Sequence, residues 1–110
     1  MIDARRSQRV VARIRIQVRK RTEGDSFISE FGHTLVVNAH GALIHLVMKV
    51  QVNELLVIKH LQSGEERHSR VVRIDKGAAN NNDVAIEFTE VAPRFWHIDF
   101  PPPDWTKWES

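Results

Sequence analysis

The sequence predicts an all-β fold, six short strands closed into a small barrel, and three observations carry that expectation. From Val10 to Arg19 the side chains alternate, with Val10, Ala12, Ile14, Ile16 and Val18 on one side and Arg13, Arg15, Gln17 and Arg19 on the other. Period two means a half-buried strand, because successive side chains of extended backbone point to opposite faces. A helix would scatter those arginines around its circumference. Further short apolar runs follow at close spacing with turn residues between them, and no stretch holds a convincing helical pattern. Closure into a barrel or sandwich hides strand edges that would otherwise recruit other chains.

Taken in order, Val10–Arg19 is the first strand and Thr22-Glu23-Gly24-Asp25 the turn after it. A second extended segment runs from about Phe27 to Val37, carrying Phe27, Ile28, Phe31, Leu35, Val36 and Val37. Asn38-Ala39-His40-Gly41 reads as a tight connection, since Asn and Gly tolerate positive φ. Ala42 to Leu46 or Val47 is the next strand, and Val52–His60 follows with Leu55, Leu56, Val57 and Ile58 at its heart. Gln62-Ser63-Gly64-Glu65 turns the chain into His68–Asp75, with Val72 and Ile74 expected on the inner side. A loop rich in Gly, Ala and Asn spans Lys76 to Asp83, and Val84, Ile86 and Phe88 alternate with Ala85 and Glu87 in the last strand.

The chain thus divides into a basic arm (1–9), a barrel (10–90) and a tail (91–110) that is irregular and rich in Trp and Pro. The tail holds Phe95, Trp96, Phe100, Trp105 and Trp108 around Pro101-Pro102-Pro103, a triplet that forbids helix and favours extended polyproline II. Aromatic surface left in water costs about 25 cal/mol per Å² of apolar area, so these rings are expected to pack, as a strap capping the barrel. An exposed recognition segment is the other reading.

Composition bounds the function. At 110 residues, 42% of them apolar, there is one domain with one core. There is no cysteine, which removes disulfides, thiol nucleophiles and thiolate zinc sites and fits a reducing compartment. No apolar run approaches the roughly 20 residues that span a bilayer, and no apolar stretch follows the N-terminal arginines as a secretory signal would require. A cytoplasmic protein without membrane insertion is expected. Net charge is only +2, yet Arg5, Arg6, Arg9, Arg13, Arg15, Arg19, Lys20 and Arg21 supply half of the 16 basic residues, opposed in that stretch by Asp3 alone. That asymmetry points to an anionic partner or to a well-solvated arm.

Catalysis finds no support. The chain lacks Tyr and Cys, a phosphate-binding glycine loop and a G-x-S-x-G elbow. His33, His40, His45, His60, His68 and His97 form no H-x-x-x-H or H-E-x-x-H pattern, so neither a metal nor another cofactor is expected. The reading is a binding protein, not an enzyme.

Arg5-Arg6-Ser7-Gln8-Arg9-Val10, an alternating strand, and then Thr34-Leu35-Val36-Val37-Asn38-Ala39-His40-Gly41-Ala42-Leu43-Ile44 together resemble a PilZ domain. Asp83-Val84-Ala85-Ile86-Glu87-Phe88 resembles that family's closing strand, so the resemblance covers roughly residues 5 to 90. It implies a six-stranded antiparallel barrel that binds cyclic di-GMP, a bacterial second messenger. The family signature is R-x-x-x-R before the first strand and D/N-x-S-x-x-G in the turn entering the third. Arg5 and Arg9 stand in the first register with Arg6 beside them, and guanidinium groups fork onto phosphates and stack on purines. With Gly41 as the motif glycine, Val36 replaces the acid or amide and Asn38 the serine. Val36 accepts no hydrogen bond from a guanine edge, whereas Asn38 keeps a donor and an acceptor. A rival register would start at Asn38, put His40 third, and leave Leu43 at the glycine.

The resemblance therefore implies Arg5, Arg6, Arg9, Asn38, His40 and Gly41 as ligand-binding residues, with the loss at Val36 weakening or abolishing the site. A missing buried hydrogen-bond partner costs about 1–3 kcal/mol. Two alternatives stand beside this reading. One is a PilZ-like module that binds a protein partner and no nucleotide. The other is a basic barrel for single-stranded nucleic acid, which has its basic half in Arg13, Arg15 and Arg19, while its aromatics lie in the tail instead of the strands.

Overall fold

The computed structural model describes residues 9–22, 24, 26–76, 81–92 and 94–98. Among the described residues seven strands occur in the order β1 (Val10–Val11), β2 (Arg15–Arg21), β3 (Phe27–Asn38), β4 (Gly41–Leu46), β5 (Leu55–His60), β6 (Glu66–Lys76) and β7 (Asn82–Phe88). All pairings are antiparallel, in the order β1-β3-β2-β5-β6-β7-β4, and β3 also pairs with β4. That last pairing closes a six-stranded barrel, β3-β2-β5-β6-β7-β4, with β1 as an added strand on β3. No described helix is long and apolar enough to cross a membrane.

The alternation read from the sequence sets the inside. Ile16 and Val18 of β2 are fully buried together with Ile44 and Leu46, Ile58, and Val84 from β4, β5 and β7. The expected first strand, however, is interrupted. Residues 12–14 bridge β1 and β2 at buried Thr34, whose hydroxyl accepts from the Ile14 N–H (2.9 Å) and donates to the Ala12 carbonyl (2.5 Å). A register shift between Thr34 and Val36 lies opposite this joint. Beyond it the phase of β3 changes, so Val37 is buried while Val36 faces outward with Leu43.

A second shift, between Val71 and Arg73, corrects the expectation for β6. The extra residue advances the phase by one, so Val71 is buried and Val72 is 44% exposed. Strand β5 begins at Leu55, not Val52, because the Glu54 N–H bonds back to the Gln51 carbonyl (3.0 Å) and Asn53 takes a φ of 76°.

Both ends of the barrel are plugged. Where β3 leads into β4, the segment after β7 folds over the opening, and Ala92, Phe95 and Trp96 join the core. Phe95 stands edge-on to Trp96 (4.8 Å between centroids) and to Phe88 (5.3 Å). These two rings thus cap the barrel as the strap reading expects, whereas Phe100, the prolines, Trp105 and Trp108 lie outside the described residues. At the other end the chain between β4 and β5 covers the opening with Val50. Two charged side chains tie it down: Glu30 accepts from the Val47 and Met48 N–H groups (2.6 and 2.7 Å), and the Lys20 ammonium donates to the Lys49 carbonyl (2.6 Å).

Candidate ligand recess on the outer wall

Strands β3 and β4 are joined by Ala39 and His40. Asn38 organises this connection, since its side-chain oxygen accepts from the N–H of His40 (2.8 Å) and of Gly41 (2.9 Å). The acceptor left open to a ligand in the sequence reading is therefore occupied by the turn. Gly41 is needed for a reason other than φ. Its backbone lies so close to β7 that an added Cβ would come within 2.0 Å of the Ile86 carbonyl oxygen.

Beside this turn, on the outer wall, is a cavity of about 370 Å³ lined by Arg9, Asn38, His40 and Gly41, and also by Val36. Leu43 and Ala85 supply its apolar floor, and Arg73 and Glu87 add charged side chains. The register explains the grouping. Val36, Leu43, Ala85 and Arg73 are successive cross-strand partners, as are Asn38, Gly41, Glu87 and Arg70 in the next row. Pairing of β1 with β3, Val10 opposite Val37, carries Arg9 to the same place.

Of the residues singled out in the sequence, the structure thus brings together Arg9, Asn38, His40 and Gly41. Arg5 and Arg6 lie outside the described residues. The sequence reading missed Glu87 and Arg73, both on strands distant in the chain. The only local signal was Glu87 as the outward member of the closing alternation.

On the same outer face, His45 pairs with Asp83 (Nδ1 to Oδ1, 3.2 Å) and stacks on His33, with 5.7 Å between centroids. Burial, then the nearby Arg13 and His45, hold the pKa of His33 below the usual histidine range. Among the described residues no group of His, Asp or Glu side chains is placed to hold a metal ion.

The closed barrel defines the fold class: the chain has a PilZ-like fold. Among solved structures it is similar to the inhibitor of motility of Bacillus subtilis, MotI/DgrA, with a TM-score of 0.58 and 20% sequence identity. The match covers 80% of this chain and 44% of that one, so this chain spans less than half of MotI/DgrA. No family model matches the sequence, and no curated protein matches it.

Proposed function

We propose that this chain is a non-enzymatic receptor for cyclic di-GMP, with the ligand lying in the outer-wall recess. One observation carries the reading: Arg9 from the basic arm and Asn38-x-x-Gly41 from the connection converge on a single cavity. These are the two elements through which the sequence resembles the PilZ family. The chemistry is suited to a cyclic dinucleotide. Arg9 and Arg73 offer guanidinium forks to phosphate, and Leu43, Ala85 and Val36 offer an apolar bed for a purine ring. The volume falls within the range of about 300–1,000 Å³ usual for small-ligand sites.

Glu87 answers the gap left by Val36. A carboxylate accepts from both donors on the Watson–Crick edge of guanine, the ring N–H and the exocyclic amine. Glu87 lines the recess beside Gly41, a position with no side chain of its own.

A second reading, a PilZ-like interaction module without nucleotide, draws on the apolar Val36 and on the engaged oxygen of Asn38. Calorimetric titration with cyclic di-GMP, with cyclic di-AMP and GTP as controls, separates the two. Saturable heat that Arg9→Ala weakens at least about tenfold supports the receptor. Absence of heat from the folded protein supports the module.

A further inference from the structure

The outer wall carries a second surface, away from the recess. Phe27 and Phe31 of β3 are 56% and 68% exposed, and Leu55, where β5 begins, is 58% exposed. Large apolar side chains grouped at the surface mark interaction sites, unlike singly scattered ones. Between these residues runs β2, which pairs with both strands and points Arg15, Arg19 and Arg21 outward. The guanidinium groups of Arg19 and Arg21 lie 5.8 and 5.9 Å from the centre of the Phe27 ring. The nucleic-acid alternative was set back by aromatics lying in the tail, yet Phe27 and Phe31, both in the second expected strand, stand on the basic face.

The outward positions of β2, of β3 up to His33 and of β5 hold these three arginines and Lys59, with no carboxylate among the described residues. Glu66 on neighbouring β6 meets Arg19 at 3.2 Å. We propose that this face docks a protein partner through a segment that presents carboxylates among apolar side chains. Aromatic residues and arginine are the types enriched at protein interfaces, and a carboxylate on the partner completes the arginine fork.

Two other occupants fit less well. Phe27 and Phe31 are four residues apart on one strand, about 13 Å at the usual rise, too far to stack adjacent bases of a nucleic acid strand, and Leu55 offers no stacking face. A second copy of the chain would set arginine against arginine across a two-fold axis.

The test is selection of short random peptides displayed on phage against the immobilised full chain without nucleotide. Arg21→Glu and Phe31→Ser serve as separate control variants, chosen because both positions are exposed. The expected consensus combines Asp or Glu with Leu, Phe or Trp. A synthetic peptide of that sequence should bind the wild type and lose at least about tenfold affinity with either variant. A neutral or basic consensus, no consensus, or binding that ignores both variants overturns the proposal. An oligothymidylate that binds the wild type and not the variants would reassign the face to nucleic acid, and dimerisation abolished by Phe31→Ser would reassign it to self-association. Either result also overturns it.

Discussion

The indole N–H of Trp96 donates to the carbonyl oxygen of Gly41 across 3.1 Å, in a buried contact. It joins the cap of the barrel to the backbone of the recess, because Gly41 both lines the cavity and begins β4. Trp96→Phe keeps most of the ring volume and removes the donor. A buried carbonyl left without its partner costs about 1–3 kcal/mol, and urea unfolding should show a loss of that size. Trp96→Ala should lose more, about 3–5 kcal/mol, through the cavity it leaves. Unchanged stability for both variants would mean that the cap contributes nothing to the barrel.

Thr34 holds the joint between β1 and β2, its hydroxyl serving Ile14 as acceptor and Ala12 as donor from a fully buried position. Thr34→Val has nearly the same shape and satisfies neither group. The expected loss is about 1–3 kcal/mol in denaturant unfolding. Because β1 carries Arg9 to the recess, affinity for cyclic di-GMP should fall together with stability. Amide exchange at Ile14 and Thr34 would accelerate if the joint opens, and should remain slow in the wild type.

Glu87 is the residue to which base preference is assigned. In Glu87→Gln the amide has one acceptor and one donor face, which matches the edge of adenine, with its ring acceptor and exocyclic amine, better than that of guanine. The ratio of affinities for cyclic di-GMP and cyclic di-AMP should therefore shift towards cyclic di-AMP by about tenfold or more. A ratio that stays constant removes Glu87 from the account while leaving the receptor reading intact.

His60 is expected to make the stability of the fold depend on pH. It is buried against Phe95, Trp96 and His97, and its Nδ1 faces the Ser63 N–H at 3.4 Å. Burial first, and then His97, lower its pKa from 6.5, with Glu65 and a backbone hydrogen bond pulling the other way. The unfolded chain then takes up the proton more readily than the folded one. The contribution is complete above about pH 6.5 and is lost as the pH falls through that value towards the lowered folded pKa. His33, also lowered, acts with the same sign. Thermal unfolding should show a lower Tm at about pH 5 than at about pH 7.5, and His60→Leu should flatten part of that slope. An unaltered slope would place the pH dependence elsewhere.

Much of the barrel was legible in the sequence because its core-facing positions alternate locally. Ile16, Val18, Val84, Ile86 and Phe88 are buried where the period placed them. Two breaks were not legible. The joint at Thr34 depends on a hydroxyl reaching another strand, and the shift at Val71 depends on the partner β7. Neither leaves a mark in the local pattern. Phe27 and Phe31 were legible as strand residues, but their exposure was not, since β-propensity does not say which face meets water. At the recess, Asn38 and Gly41 stood out as turn residues, but the need for Gly41 comes from the approach of Ile86 instead of from its own φ. Glu87 looked like an ordinary outward residue until the register set it beside Gly41.

The most direct test of the central claim is amide chemical-shift mapping of the isotope-labelled chain during titration with cyclic di-GMP. The account predicts saturating shifts at Arg9, Asn38, His40, Gly41, Arg73 and Glu87, with β2 and the first half of β3 unmoved. Shifts confined to the Arg19 and Phe27 face, or none at saturating nucleotide, would contradict it.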